Sequence, residues 1–317
     1  MKNILVTGIT GSGGSYLAEY VVQNQPNYKV WGICRWHSTG SYANVDNIKD
    51  QIVLRECDLL DLSSVIRVLK ECRPERIFHL AAYANVRKCF DTPLSVVHNN
   101  IMGTANLLEA VRMTSPESLI QMCSTSEVYG NPVFCPMKED HPLNPVNPYS
   151  ASKLAQEKLA YAYFMSWGLR IIITRMFTYV NPRRGDVFAT SFAQQVVNIE
   201  RGKQQILQHG NLDSLRTIID VRDAMRAYWV ACDYCALGEA YNIGGGVIRM
   251  VGEFLEELKA QAKVPVYSEQ DPALLRPVDL TMQIPDTSKF DTLTSWKSQY
   301  TFEESVQFLL DHYRRQK

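Results

Sequence analysis

The most constraining stretch of the chain is Thr7-Gly8-Ile9-Thr10-Gly11-Ser12-Gly13-Gly14-Ser15-Tyr16-Leu17, because it links an apolar run, Asn3 to Thr7, to a helix that starts at about Gly14. Gly8, Gly11 and Gly14 form a G-x-x-G-x-x-G pattern. Glycine permits a tight turn and close approach of the backbone to a ligand, and the N–H groups at the start of the following helix can meet the charge of a pyrophosphate. In isolation such a triplet also fits a plain turn. A strand before it and a helix after it select a phosphate-binding turn, with Gly8, Thr10, Gly11, Ser12, Gly13 and Gly14 as the candidate cradle.

The rest of the chain supplies the other units that such a turn requires. Short β-branched runs alternate with longer helical patterns: Lys29 to Cys34, Ile52 to Glu56, Arg76 to Leu80, Leu119 to Cys123 and Arg170 to Thr174. Nearly continuous apolar strands predict a parallel sheet covered on both faces. The expected fold is α/β, a Rossmann-type doubly wound parallel sheet with a smaller, mixed α/β substrate-binding lobe. The pattern changes after Thr178, at Asn181-Pro182-Arg183-Arg184-Gly185. Ile219 to Asp233 then reads as a helix opened by Asp220, and Ala240-Tyr241-Asn242-Ile243 before Gly244-Gly245-Gly246 reads as another buried strand and turn. Residues 1–178 plus about 219–246 are therefore expected in the cofactor-binding domain. About 179–218 plus 247–317, including Trp296 and a terminal helix from Phe302, are expected in the second lobe.

Composition excludes several classes of function. Of 317 residues, 46% are hydrophobic, enough for a sizeable core. The 33 basic and 33 acidic residues cancel, so no field of one sign draws the whole protein to nucleic acid or to a membrane surface. No window reaches the ~18 consecutive apolar residues of a membrane span. Met1-Lys2-Asn3-Ile4-Leu5-Val6 runs straight into structure without a signal-peptide pattern, and the expected location is cytoplasmic. The eight cysteines are scattered, most of them in apolar surroundings such as Gly32-Ile33-Cys34 and Gln121-Met122-Cys123, which favours buried free thiols. Cys232 and Cys235 form a lone C-x-x-C with no second pair and no neighbouring histidine, so no metal is expected.

The strand ends narrow the cofactor. The second strand ends in Gly32-Ile33-Cys34-Arg35-Trp36-His37, where an NAD-specific site places an Asp or Glu on the ribose hydroxyls. A cation at Arg35 suits the 2′-phosphate of NADP, and a solvated surface arginine is the alternative. NADP is expected, with NAD second. Asp58 and Leu59 in Cys57-Asp58-Leu59 are candidate adenine contacts. Leu80, Ala81 and Ala82 in His79-Leu80-Ala81-Ala82 let a cofactor pass close to the backbone.

The fifth strand ends in Ser124-Thr125-Ser126-Glu127-Val128-Tyr129-Gly130, whose oxygens also suit plain capping of a chain that leaves a sheet. Downstream, Asn147-Pro148-Tyr149-Ser150-Ala151-Ser152-Lys153 opens a long helix, and a spacing of four puts Tyr149 and Lys153 one turn apart on one face. A free phenol ionises near pH ~10, and a neighbouring ammonium favours the phenolate, which can take a proton from a sugar hydroxyl.

These pieces resemble an extended short-chain dehydrogenase/reductase and are most similar to the GDP-mannose 4,6-dehydratase branch. The matching segments are TGITGSGGSYLAEY, CDLLD, HLAA, STSEVYG, PYSASK, NPRRG, GNLDSLR and DPALLRPVDL, spread through nearly the whole chain. The resemblance implies a catalytic set in which Thr125 binds the C4 hydroxyl, Tyr149 with Lys153 takes its proton, and Glu127 removes the C5 hydrogen as the C6 hydroxyl departs. Ser126 stands where many sugar-nucleotide dehydratases carry Asp, and the GDP-mannose branch also has serine there. The proton for the departing water then comes from Ser126 through a water or from Glu127 itself. Tyr179, Asn181, Arg184, Arg216, Arg276 and Asp279 lie in motifs that imply nucleotide-sugar binding, the arginines for the diphosphate and Asp279 for ribose.

The chain also departs from the branch. Phe177-Thr178-Tyr179 replaces a usual Phe-Asn-His, and Ala189-Thr190-Ser191-Phe192 lacks an Arg-Lys pair near the base pocket. The loop after the second strand is reduced to Arg35-Trp36-His37, which makes a homodimer packed through long helices the expected assembly and a homotetramer the alternative. The expected reaction is conversion of GDP-mannose or a related GDP-sugar to the 4-keto-6-deoxy sugar. The alternative is an NADPH-dependent GDP-4-keto-6-deoxymannose reductase or an epimerase of the same fold.

Overall fold

Ile4, Leu5 and Val6 are all buried, but Ile4 and Val6 enter one hydrophobic core and Leu5 another. Side chains alternate along a strand, so a run that is apolar at every position needs cover on both faces. The computed structural model describes residues 1–36, 41–185, 187–275 and 281–316 and has this arrangement. In chain order its strands are β1 (Lys2–Thr7), β2 (Tyr28–Cys34), β3 (Val53–Glu56), β4 (Arg76–His79), β5 (Leu119–Thr125), β6 (Ile171–Met176), β7 (Tyr179–Val180), β8 (Ile206–His209), β9 (Leu215–Asp220), β10 (Ala240–Ile243), β11 (Val247–Met250), β12 (Tyr267–Gln270) and β13 (Met282–Gln283). Its helices are α1 (Ser12–Asn24), α2 (Leu62–Cys72), α3 (Lys88–Asp91), α4 (Pro93–Val97), α5 (Gly103–Thr114), α6 (Pro148–Trp167), α7 (Phe188–Glu200), α8 (Val221–Tyr234), α9 (Val251–Ala260), α10 (Ser288–Thr294) and α11 (Phe302–Arg315).

The main sheet has seven parallel strands in the order β10-β6-β5-β4-β1-β2-β3. Leu17, Val21, Ala224 and Tyr228 from α1 and α8 cover one face. Leu69, Leu108, Val111 and Ala160 from α2, α5 and α6 cover the other. β1 lies between β2 and β4, the point at which the strand order reverses, and a crevice opens there beyond the carboxyl ends of the strands. The glycine turn, the end of β5 and the start of α6 all lie at that edge.

Asp220 caps α8 by accepting the Arg222 N–H at 2.8 Å. β10 pairs with β6 from Ala240↔Ile173 to Ile243↔Met176, so the chain returns to the main sheet after β9. A smaller sheet is centred on β9, with β11 antiparallel on one side, β13 parallel on the other and β7 at its carboxyl end; β8 and β12 form a separate pair. Phe192, Phe254, Leu258, Val306 and Leu310 of α7, α9 and α11 form its core. Phe290 and Trp296, which the sequence reading assigned to the second lobe, pack instead into the main-sheet core. The reason is local: α10 lies against α8 and β10. Cys232 and Cys235 also pack against that core, where burial pushes both thiols up, Cys235 to about 12.

Candidate active site

The cradle is shaped by missing side chains. Gly8 has φ +69°, and a Cβ there would lie 2.9 Å from Ala81 Cα, so the turn after β1 and the end of β4 touch through their backbones. A Cβ on Gly14 would strike the Gly8 carbonyl. Helix α1 starts with Gly11 as its N-cap, no side chain capping it and no acidic residue in its first turn. Its N-terminal dipole end is therefore left to an anion, and the donor set fits a dinucleotide pyrophosphate. Tyr179 closes this site from β7: its hydroxyl lies 3.5 Å from the Cβ position of Gly13, and Leu80 Cδ2 lies 3.4 Å from the same point.

Arg35 follows β2 and donates to the Tyr83 hydroxyl at 2.8 Å, with its guanidinium 5.2 Å from the ring centre. A cation is thus held against an aromatic ring just past the end of β2. Asp58 accepts the Leu60 N–H at 2.9 Å, and the Leu59 carbonyl accepts from Asn106 at 2.8 Å, so both adenine-contact candidates also shape the turn after β3.

Below the cradle runs a buried polar network that sequence reasoning missed. Thr7 Oγ1 accepts the Ala81 N–H at 3.1 Å and pairs with His79 Nδ1 at 2.9 Å, while His79 Nε2 meets Thr104 Oγ1 at 2.9 Å. Burial, and then the charge of Lys153, push His79 down to about 3, so the ring is neutral. Asn100 continues the chain of contacts, accepting the Tyr83 N–H at 2.8 Å and donating to Ser152 at 2.9 Å, and Ser152 donates to the Tyr149 carbonyl at 2.7 Å. The cofactor floor and the helix that carries Tyr149 are therefore tied together. Histidine next to an apolar strand end is a weak signal, because it reads equally well as a satisfied core residue.

β5 extends through Ser124 and Thr125 before a turn of 3-10 helix, Ser126–Tyr129. Thr125 caps that turn, accepting the Glu127 N–H at 3.3 Å. Ser124 does not cap: it donates to Glu157, which Arg175 also binds through two nitrogens at 2.8 and 3.1 Å. With side chains only 6% and 3% exposed, Arg175 and Glu157 form a buried pair that fixes β6 to α6, and Ser124 adds β5. Ser126 donates to Gln283 Oε1 of β13 at 3.3 Å, so its hydroxyl proton points toward the smaller sheet. Glu127 and Thr125 are half-buried.

Asn147 caps α6 by accepting the Ser150 N–H at 2.8 Å, and it donates to Glu127 Oε2 at 2.9 Å. Pro148 occupies the first turn, where its missing N–H costs nothing. One turn places Tyr149 at the crevice and the next places Lys153 below it, 8% and 2% exposed. Burial pushes the Tyr149 phenol well above its usual range, the Glu127 charge adds to this, and Arg184 provides the largest opposing influence. The sequence had given that part to Lys153. Burial pushes Lys153 itself down, and Cys123 and Glu157 oppose the shift.

The NPRRG segment splits in two. Arg183 turns to α1, donating to Ser15 at 3.0 Å and Glu19 at 2.6 Å over the Tyr16 ring. Arg184 turns to the site, donating to the Ala84 carbonyl at 3.0 Å beside Tyr149 and Tyr179. Asn181 is fully buried and accepts the Arg183 N–H at 2.9 Å, which makes it a turn residue in this structure. Arg216 lies on β9 opposite Arg249 of β11 and Gln283 of β13, the residue that meets Ser126. Arg276 and Asp279 lie outside the described residues.

A family model described as GDP-mannose 4,6 dehydratase matches residues 5–309. A GDP-mannose 4,6-dehydratase of Yersinia enterocolitica is 30% identical over 96% of this chain and 91% of its own. A GDP-6-deoxy-D-mannose reductase of Pseudomonas aeruginosa is 27% identical over 98% of this chain and 96% of its own. Among solved structures, a dTDP-glucose 4,6-dehydratase of Bacillus anthracis in complex with NAD superposes with a TM-score of 0.86 at 26% identity, covering 100% of this chain and 98% of that one. With a matching model over nearly its full length and the crevice, glycine turn and Tyr149–Lys153 helix in place, the chain belongs to the GDP-mannose 4,6-dehydratase family.

Proposed function

We propose that this protein is an NADP-dependent nucleotide-sugar 4,6-dehydratase that converts GDP-mannose or a related GDP-sugar to its 4-keto-6-deoxy product. The observation that carries this reading is that Glu127, in the turn after β5, and Tyr149, at the start of α6, share one corner: Asn147, two residues before Tyr149, donates to Glu127 at 2.9 Å, and the Glu127 charge acts on the Tyr149 phenol. The reaction needs a proton acceptor for a C4 hydroxyl and a second one for the adjacent C5 hydrogen. Two such groups on separate rigid elements meet that need.

Thr125 orients the C4 hydroxyl while the Tyr149 phenolate takes its proton, helped by the positive charge of Lys153 below and Arg184 beside it. Gly8, Gly11, Gly13 and Gly14 would hold the dinucleotide, which would supply a reversible hydride acceptor beside Tyr149. The new C4 ketone acidifies C5, and Glu127 takes that proton. Glu127 then returns a proton to the departing C6 hydroxyl, because Ser126 directs its own proton to Gln283; as C6 is reduced, a proton from solvent enters at C5 through Glu127, and Tyr149 releases the C4 hydroxyl proton to solvent. Arg35 would receive the 2′-phosphate of NADP. Arg216 and Arg276 are assigned to the diphosphate, and Asp279 to ribose.

Tyr161, Met165 and Trp167 on α6, with Leu94 on α4, leave large apolar side chains in solvent, and this stripe favours a homodimer packed through α6. A molar mass by light scattering equal to one chain would exclude that assembly.

Purified protein given GDP-mannose without added reduced cofactor is expected to yield a product lighter by one water. If GDP-mannose is untouched and a 4-keto-6-deoxy GDP-sugar is instead reduced with one NADPH consumed per turnover, the reductase reading replaces this one. The Pseudomonas relative is the reason for including that second arm.

A further inference from the structure

Asn147 serves two partners with one carboxamide. Its Oδ1 accepts the Ser150 N–H at 2.8 Å and its Nδ2 donates to Glu127 Oε2 at 2.9 Å. Ser150 answers through its hydroxyl, which the Asn147 N–H meets at 3.3 Å, to complete a capping box. The assignment of O and N is unambiguous, because only oxygen can take the Ser150 N–H and only nitrogen can give a proton to a carboxylate. The amide is planar, so the cap that fixes its oxygen also fixes the direction of its N–H groups.

We infer that Asn147 is the positioning residue for the C5 base, and that it mounts Glu127 on the same helix start that carries Tyr149. This rests on the dehydratase reading. Ser, Thr, Asp and Asn all make good N-caps, but of these only Asn offers an amide donor beside the cap acceptor. Glu127 is gripped at both ends: its N–H by Thr125 at 3.3 Å and its carboxylate by Asn147 at 2.9 Å. A side chain free to rotate about its χ angles would present its carboxylate to C5 for only part of the time. The clamp selects one orientation, referred to the residue that takes the C4 proton.

The test separates the cap from the clamp. Asn147→Asp and Asn147→Ser both keep a capping oxygen; the first sets a like charge against Glu127 and the second withdraws the amide donor. Asn147→Ala removes both functions. Melting temperature, kcat and KM for GDP-mannose, and deuterium incorporation at C5 in heavy water are measured for wild type and all three. The Asp and Ser variants are expected to melt with wild type and the Ala variant about 2 °C lower. C5 incorporation and kcat are expected to fall about tenfold in Ser and Ala and further in Asp, with KM held within about twofold.

A residue that only caps would give the opposite order, with Asp and Ser as active as wild type and Ala alone impaired. That order overturns the inference while leaving the dehydratase reading intact. Wild-type protein that forms no 4-keto product overturns both.

Discussion

The glycine cradle after β1 and the Glu127–Tyr149 corner lie on the same edge of one sheet, yet they are built in opposite ways. The cradle is made of backbone and missing side chains: Gly8 against Ala81, Gly14 against the Gly8 carbonyl, and an α1 start with no side-chain cap. The corner is made of side chains sent from separate elements: Thr125 and Glu127 after β5, Asn147 and Tyr149 at α6, Gln283 from β13 and Arg184 from the segment after β7. The first should fail when any atom is added. The second should fail when chemistry changes at constant shape.

The largest effect is expected at Gly14. In Gly14→Ala the new Cβ meets a carbonyl of the backbone, which cannot swing away as the end of a flexible side chain can. We expect a loss of about 1–3 kcal/mol in stability and no measurable dinucleotide binding by calorimetry. Retained binding would mean that the turn can open, and that its tight closure does not select the cofactor.

Glu127→Gln comes next and makes the opposite comparison. The shape is kept and the amide oxygen can still accept from Asn147, so the melting temperature should hold. Deuterium incorporation at C5 should fall by about 10²–10⁴-fold, the usual weight of a general base. Normal incorporation in this variant would remove Glu127 as the base.

The same contrast explains what the sequence makes legible. The cradle is local and lies within one short stretch of chain, so strand, glycines and helix can be read in order, and Asn147-Pro148 can be read as the opening of α6. The corner joins residues that are distant in sequence. Nothing in Gln283 or Glu157 announces that it will meet Ser126 or Ser124, because polar residues in apolar surroundings carry no address for their partner. The two adjacent arginines of NPRRG illustrate this: the sequence makes them equivalent, and the turn held by Asn181 sends Arg183 to Glu19 and Arg184 to Tyr149. Trp296 was misplaced for a related reason. Its apolar character predicts burial, but not which of the two cores receives it.

Arg35 provides a smaller effect on the cradle side. It contributes a charge rather than a shape, held over Tyr83, so Arg35→Ala should leave folding unchanged. Affinity for NADP should drop about 10- to 100-fold with NAD affinity little altered, as expected for a lost charge-assisted contact to phosphate. Equal losses for both cofactors would assign Arg35 to holding Tyr83 and leave the 2′-phosphate without a ligand.

Arg184 gives the smallest expected effect and divides the two accounts of this residue. Burial raises the Tyr149 phenol, the Glu127 charge raises it further, and Arg184 works against both. In the proposed mechanism Tyr149 must be ionised to take the C4 proton, so activity is expected to rise as pH climbs toward the phenol's range. Removing a nearby positive charge raises the phenol again and moves that limb to higher pH. In Arg184→Gln we expect a shift of about one unit, or about a tenfold loss of kcat at neutral pH, with Arg184→Lys restoring most of it. If Gln instead raises KM and leaves the limb in place, Arg184 binds the substrate diphosphate, as its motif implies, and Tyr149 depends on Lys153 for its charge. The two outcomes differ in which kinetic constant moves, so a single pH series on three proteins distinguishes them.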